Sequence, residues 1–353
     1  GESTGTTRPN VVLIISDDHA WTDHRFMGNE NVQTPHIDRL ATEGLTFTRG
    51  YVTTALCSPS LATMLTGLYT HQHGITGNDP VGGQDRDVWL DRFFKNPMLP
   101  KLLADAGYNT LHTGKYWMRQ PSAAGFTHDN GETGRHGGES LNIGRGTMKP
   151  IYDFMDESIK DKKPFFVWYA PFLPHTPHNP PERLLAKYAD VKHSGTRRYY
   201  AMVEWLDETC GDLMKNLKDR GVDDNTLVLY LADNGWNKFG KASPYENGVR
   251  TPIIARWPAK IKAHMEKEKL ASNIDIVPTI LAACNVDIPK TMPGINLLDT
   301  KAVAGRTELF FNNFSHNMVS AHEPGKSLWS RSVIQGKWKL ITYQDPLPKE
   351  KPN

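Results

Sequence analysis

Asp17 and Asp18 stand directly after the run NVVLIIS (10–16), and Asp233 and Asn234 directly after TLVLYLA (226–232). Three carboxylates and an amide oxygen are hard ligands, suited to Ca²⁺ or Mg²⁺ rather than to a His/Cys zinc site. Strand-end Asp and Asn also serve as caps and turn residues, and one pair alone reads equally well that way. Two pairs together point to a metal. Cys57 opens the apolar helical run in ALCSPSLATMLTG (55–67), with Pro59 in its first turn. A helix N-terminus favours oxyanions and lowers a thiol's pKa. Taken alone, Cys57 still reads as a buried, inert thiol, and a Cys–His hydrolase would leave the acidic cluster unexplained. Lys115 follows YNTLHT (108–113), and His175 and His178 lie in PFLPHTPHNPP (171–181), just past PFFVWYA (164–170). Lys241 sits among turn formers in GKASPYENGVRTP (240–252). A lone lysine is ordinarily solvated charge, and a His on a Pro-rich loop is as open to function as to packing.

The elements that must position these groups alternate. The short, continuous β-branched run 10–16 reads as a strand buried on both faces, 164–170 as a buried strand, and 108–113 and 225–232 as strands. Between them lie helical patterns: TPHIDRLATEG with Thr34 as N-cap, Pro35 at N1 and Gly44 after it, then 98–107, PIYDFMDESIK and a long helix near 197–219. TPIIARW and DIVPTILAAC continue the alternation. The expectation is an α/β fold with a large, mostly parallel sheet flanked by helices. Ligands of such sheets bind at the carboxyl ends of the strands, where all four polar clusters fall. After about residue 305 short strand-like pieces take over, with Gly336 in a hairpin turn. The expected domains are a catalytic unit at 9–304 and a small antiparallel C-terminal subdomain at 305–346. Cys210 falls on the apolar face of the long helix and Cys284 ends another apolar run, so both read as core. Two long polar loops, 71–97 and 117–149, should build a substrate pocket with His71, His73, Asp79, Arg86, Arg119, His128, Arg135, His136 and Arg145, each individually read as solvated charge unless placed.

With 41 basic and 39 acidic residues in 353, the charge balance gives no reason to expect nucleic acid or an anionic membrane as partner. No apolar run approaches the roughly 20 residues of a membrane span. Three scattered cysteines are too few for a disulfide framework or zinc knuckle.

These stretches, in this order, resemble the type I sulfatase family of the alkaline-phosphatase-like superfamily. CSPSLATMLTG resembles its Cys-x-Pro-Ser-Arg signature followed by Thr-Gly. ISDDHAW resembles its first metal motif, TGKYWM its Gly-Lys-Trp-His segment, and PFLPHTPHNPP its Pro-His-x-Pro segment. LADNGW resembles its second metal pair, GKASPYENGVRTP its Lys and Tyr-Glu-Gly-Gly-x-Arg-x-Pro segment, and RSVIQGKWKLI its terminal hairpin; the likeness runs from about 9 to 343.

The resemblance implies that Cys57 is converted by the formylglycine-generating enzyme into formylglycine, whose hydrate is the nucleophile. Asp17, Asp18, Asp233 and Asn234, with Cys57, would hold Ca²⁺ (or Mg²⁺). Lys115 and Lys241 would neutralise sulfate oxygens, and His175 would protonate the leaving alcohol. The implied substrate is a sulfate ester or N-sulfate of a sulfated glycan, contacted by Trp117, His178, Arg135 and His136, in a periplasmic or secreted setting. Leu61 stands where the family has Arg, and Trp117 where it has His, which marks a divergent branch. The competing expectations are a phosphodiester or phosphonate hydrolase of the same superfamily, and a non-catalytic glycan-binding protein with unconverted Cys57.

Overall fold

The computed structural model describes residues 8–80, 86–116, 119–131, 138–237 and 240–349. Its strands are β1 (Asn10–Ser16), β2 (Leu45–Phe47), β3 (Gly50–Tyr51), β4 (Asn109–Gly114), β5 (His128–Asp129), β6 (Phe165–Ala170), β7 (Thr226–Ala232), β8 (Ile253–Arg256), β9 (His264–Glu266), β10 (Ala271–Ser272), β11 (Glu308–Phe314), β12 (Leu328–Gln335) and β13 (Trp338–Tyr343). Eight of them form one sheet in the order β5-β4-β6-β1-β7-β8-β2-β9. β1 lies at its centre, parallel to both β6 and β7.

The continuous apolar runs are explained by the two faces they bury. On β1, Val11, Leu13 and Ile15 enter one core cluster while Val12 and Ile14 enter the other. On β7, Leu227, Leu229 and Leu231 face the first cluster, and Val228 and Tyr230 the second. A strand buried on both faces has no polar side to alternate with. Helices Cys57–Thr66, Leu99–Asp105 and Ile276–Ala283 cover the first face. Pro35–Glu43, Lys149–Lys160 and Ser194–Asp219 cover the second. Cys210 and Cys284 are fully buried in these cores, as expected.

Three expectations are corrected. TPIIARW does form β8, but it runs antiparallel to both β7 and β2. A parallel return needs a crossover to the far end of the sheet. Among the described residues between β7 and β8 the helix is the four-residue Glu246–Val249, too short for such a crossover, and the chain turns back along the same end. Thr34 does precede the helix Pro35–Glu43, but its hydroxyl bonds Asp38 rather than capping. The free N–H groups of His36 and Ile37 donate to Asp207 on the long helix instead. The stretch 71–97 is no plain loop: Arg86–Phe93 is helical and buries Trp89, Leu90 and Phe93, a short apolar pattern hidden by flanking charge.

The C-terminal strands β11, β12 and β13 form a separate antiparallel sheet. Gly336, at φ +57, occupies the first position of the two-residue turn between β12 and β13, where a left-handed residue matches strand twist. This sheet docks on the chain that leads into Cys57. Asn312 N–H donates to Thr53 O at 3.0 Å, and Ala55 N–H donates to Asn313 Oδ1 at 3.0 Å. Among the described residues no helix is long and apolar enough to cross a membrane.

Candidate active site

β1 delivers Asp17 and Asp18, β7 delivers Asp233 and Asn234, and β4 ends one residue before Lys115. These three strands lie within four neighbouring positions of the sheet, so their carboxyl ends share one edge. The backbone ties the ends together. Asp17 N–H donates to Leu173 O, Asp233 N–H to Ser16 O, and Lys115 N–H to Ala170 O. Gly114 permits the turn into Lys115: its φ is +81, and a Cβ there would stand 1.9 Å from Ala170 O. Gly235, after Asn234, permits a close approach instead: a Cβ there would meet Asn247 O at 1.6 Å. Asp18 itself holds φ +52, a conformation that side-chain-bearing residues rarely adopt and that clusters at functional sites.

The side chains converge. The Lys115 ammonium contacts both Asp17 oxygens, at 2.7 and 2.6 Å, and Asp233 Oδ2 at 3.5 Å. The Lys241 ammonium lies 2.8 Å from Asp18 Oδ1. His175 Nε2 lies 3.4 Å from Asp18 Oδ2, while its Nδ1 bonds Thr176 O at 2.5 Å. Cys57 Sγ completes the group, 4.0 Å from Asp17 Oδ1 and 3.9 Å from Asp18 Oδ1. Asn234 donates its amide N–H to Asp18 Oδ1 at 2.7 Å, whereas its Oδ1 is buried with no partner among the described residues. An orphaned amide oxygen beside three carboxylates is the donor set a hard divalent cation takes. Ligand atoms of Asp17, Asp18 and Cys57 all lie within 4.8 Å of one another. The residues present therefore fit Ca²⁺ or Mg²⁺.

Burial dominates the electrostatics. It raises the Asp18 carboxyl, but Lys241, His175 and Lys115 outweigh it and hold the group down at about 2. Burial and the charge of Asp17 push Asp233 well above the usual carboxylate range. Burial drives Lys115 down, yet Asp17, Cys57 and Asp233 carry it well above an ordinary lysine. The Cys57 thiol is pushed up to about 12, because burial outweighs the two lysines. The helix N-terminus does not deliver the lowered thiol pKa expected of it, so an unmodified Cys57 is a poor thiolate nucleophile.

A family model described as Sulfatase matches residues 9–286. The chain belongs to the sulfatase family. A second model, described as N-sulphoglucosamine sulphohydrolase, C-terminal, matches residues 233–349 of this sulfatase. Human N-acetylgalactosamine-6-sulfatase is 28% identical over 367 residues, covering 85% of this chain and 67% of that protein. The N-acetylglucosamine-6-O-sulfatase of Bacteroides thetaiotaomicron is 25% identical over 415 residues, covering 86% of this chain and 72% of its own. The sulfatase chain spans about two thirds of the length of the first curated relatives it matches. A solved structure in complex with k-i-k-neocarrahexaose superposes with TM-score 0.79 at 23% identity, covering 96% of this chain and 84% of the other. A phosphonate monoester hydrolase from Silicibacter pomeroyi superposes with TM-score 0.68 at 18% identity, covering 95% and 87%. Such likenesses show the fold, which is alkaline-phosphatase-like.

Of the residues expected at this sulfatase site, Asp17, Asp18, Asp233, Asn234, Cys57, Lys115, Lys241 and His175 are brought together. His178, expected to contact substrate, packs 4.9 Å from the Trp236 ring and 5.8 Å from the Tyr199 ring. Trp117, Arg135 and His136 lie outside the described residues. Several loop groups expected to line a pocket have partners within the fold. His73 is fully buried against Thr63 and the Ile75 N–H, so it is a core residue. Arg86 pairs with Asp79, Arg119 with Asp87 and Asp91, and His128 with Glu157. Leu61, one helical turn after Cys57, is 1% exposed in the first core cluster. Asn78 was not singled out by sequence. Its Oδ1 accepts the Ser58 N–H at 3.0 Å and so caps the helix that Cys57 opens. No local pattern marks it, since the cap comes from 20 residues downstream.

Proposed function

We propose that this chain hydrolyses the sulfate ester, or N-sulfate, of a sulfated carbohydrate. The observation that carries the reading is Cys57 Sγ within about 4 Å of two buried carboxylates, each of which also holds a lysine ammonium. Family membership and the sugar-sulfate relatives support the substrate class. Asp17, Asp18, Asp233 and Asn234, beside Cys57, would hold Ca²⁺ or Mg²⁺, which supplies Lewis acidity at a sulfate oxygen, and conversion of Cys57 to formylglycine supplies a hydrated aldehyde as nucleophile. Lys115 and Lys241 bind the remaining sulfate oxygens, their charge kept by the neighbouring carboxylates against the cost of burial. Nδ1 of His175 bonds Thr176 O, and Nε2, 3.4 Å from Asp18 Oδ2, is the nitrogen on the side of the carboxylate cluster that would hand a proton to the departing alcohol. The Phe172 ring, 4.2 Å from the imidazole, keeps water from one of its faces.

Cys57 is only 2% exposed, so a formylglycine-generating enzyme would have to act before the fold closes over it. Residues 9–304 would form the catalytic unit, and 305–346 a subdomain whose β11 braces the Thr53–Ala55 segment. A sulfated polymer as substrate accords with a periplasmic or secreted setting. The phosphodiester reading finds no second cluster of metal-ligating residues among those described.

Two measurements test the proposal. Mass spectrometry of the Cys57 peptide from the native host should show a species about 18 Da lighter than the thiol form, as replacement of SH and H by a carbonyl oxygen requires. A panel of defined sulfated mono- and oligosaccharides should then yield free sulfate with wild-type protein and none with Cys57→Ala. An intact thiol in fully active protein, or faster turnover of phosphate diesters than of any sulfate, overturns the reading.

A further inference from the structure

The stretch 171–181 that carries His175 contains neither helix nor strand, so no backbone ladder holds it. Asp17 N–H bonds Leu173 O near its start, and around His175 its oxygens are gathered by one side chain on another segment. Arg145, between β5 and the helix Lys149–Lys160, extends its guanidinium into this stretch. It donates to Phe172 O, to His175 O at 3.0 Å, to Pro177 O at 3.3 Å and to Asn179 Oδ1 at 2.5 Å. These four acceptors lie on both sides of the imidazole in sequence. The guanidinium carbon stands 5.8 Å from the centre of the Trp205 ring, so the long helix Ser194–Asp219 borders the clamp. Among the described residues, every hydrogen bond found for the Arg145 side chain goes to this one stretch.

We propose that Arg145 is a positioning residue for the acid His175. The inference rests on the reading of His175 given above. A guanidinium is planar and presents five donors in a fixed fork, so it can hold several oxygens at once; an ammonium cannot reproduce that geometry. Releasing the clamp lets the His175 backbone drift, and a displacement of about 1 Å at a catalytic group can cost about 100-fold in rate. Lys115 and Lys241 come from other elements, so sulfate binding stays intact. The consequence is selective: a sugar alkoxide needs a proton to depart, while a nitrophenolate leaves without one. Loss of Arg145 therefore slows sugar sulfates and spares activated aryl sulfates.

The test compares kcat/KM for 4-nitrophenyl sulfate with that for the best sugar sulfate from the panel, using the whole metal-loaded, formylglycine-containing protein. The variants are Arg145→Lys, Asn179→Ala and His175→Ala. His175→Ala should lose about 100-fold or more on the sugar sulfate and far less on the aryl ester. Arg145→Lys should show the same selectivity at about 10- to 100-fold, and Asn179→Ala a smaller loss of the same sense. The loss in Arg145→Lys should fall on kcat, with KM for the sugar sulfate nearly unchanged. Equal losses on both esters, or none on either, overturn the positioning role while leaving His175→Ala to judge the acid. Failure of both Arg145→Lys and Asn179→Ala to fold also overturns it, since the arginine then serves the fold. Equal losses in His175→Ala overturn the acid assignment itself.

Discussion

Leu61 is the residue where family pattern and packing meet. It follows Cys57 by one helical turn, so it shares that face of the helix, yet it is buried among apolar neighbours. An arginine there would bring a charge into a core built for leucine. Leu61→Arg is expected to lose about 3 kcal/mol or more by urea denaturation, whereas Leu61→Met stays within about 1.5 kcal/mol. An arginine variant of wild-type stability would show instead that the site accommodates the charge. Asp18 makes the opposite case, a carboxyl held down at about 2 by Lys241, His175 and Lys115 against burial. If it ligates a divalent cation, Ca²⁺ at about a hundred times its Kd should stabilise the protein by about 2.7 kcal/mol, read as a rise in Tm. Asp18→Asn should abolish most of that rise. A Tm indifferent to Ca²⁺, Mg²⁺ and chelator alike counts against the metal.

At the scale of elements, the site depends on how strands end. β4 leaves the sheet through Gly114, in the left-handed region. A methyl group there meets Ala170 O at 1.9 Å and sits on a φ of +81. Gly114→Ala should therefore destabilise by about 3 kcal/mol or more and displace Lys115, whose N–H bonds the same carbonyl. Gly107→Ala supplies the control: its φ is +94, but a Cβ there meets nothing within 4 Å. It should cost clearly less, and equal losses at the two positions would assign the effect to backbone angle alone.

Across the whole molecule, buried imidazoles set the acid limit of stability. Burial pushes His73 down to about 3, and its Nδ1 accepts the Ile75 N–H, a bond that protonation would break. Burial pushes His112 to about 3 as well, where it packs on Tyr116 and Phe126. The folded pKa lies below the unfolded value of 6.5, so the stabilisation is complete above 6.5 and is lost as pH falls towards 3. Each such histidine costs about 2 kcal/mol at about pH 5. Urea midpoints at about pH 7.5 and about pH 5 should differ accordingly, and His73→Gln should reduce the difference by about that amount. An unchanged difference in the variant would remove His73 from the account.

The positions of the chemistry were legible from local pattern. Apolar runs mark β1, β6 and β7, and the polar residues just beyond them are the ones that meet, because a strand's carboxyl end is defined by its own neighbours in sequence. The C-terminal hairpin was legible for the same reason, through Gly336 between two strand-like runs. Pairings made across the chain were not. Lys115 meets Asp17 across 98 residues and Lys241 meets Asp18 across 223, and no periodicity encodes which carboxylate each will choose. Nor does local pattern tell a histidine in the core, His73, from one beside a carboxylate, His175. The direction of β8, the cap that Asp207 lends to another helix, and the four oxygens gathered by Arg145 were likewise decided only by tertiary structure. Each depends on a distance through space between segments whose order along the chain carries no record of it.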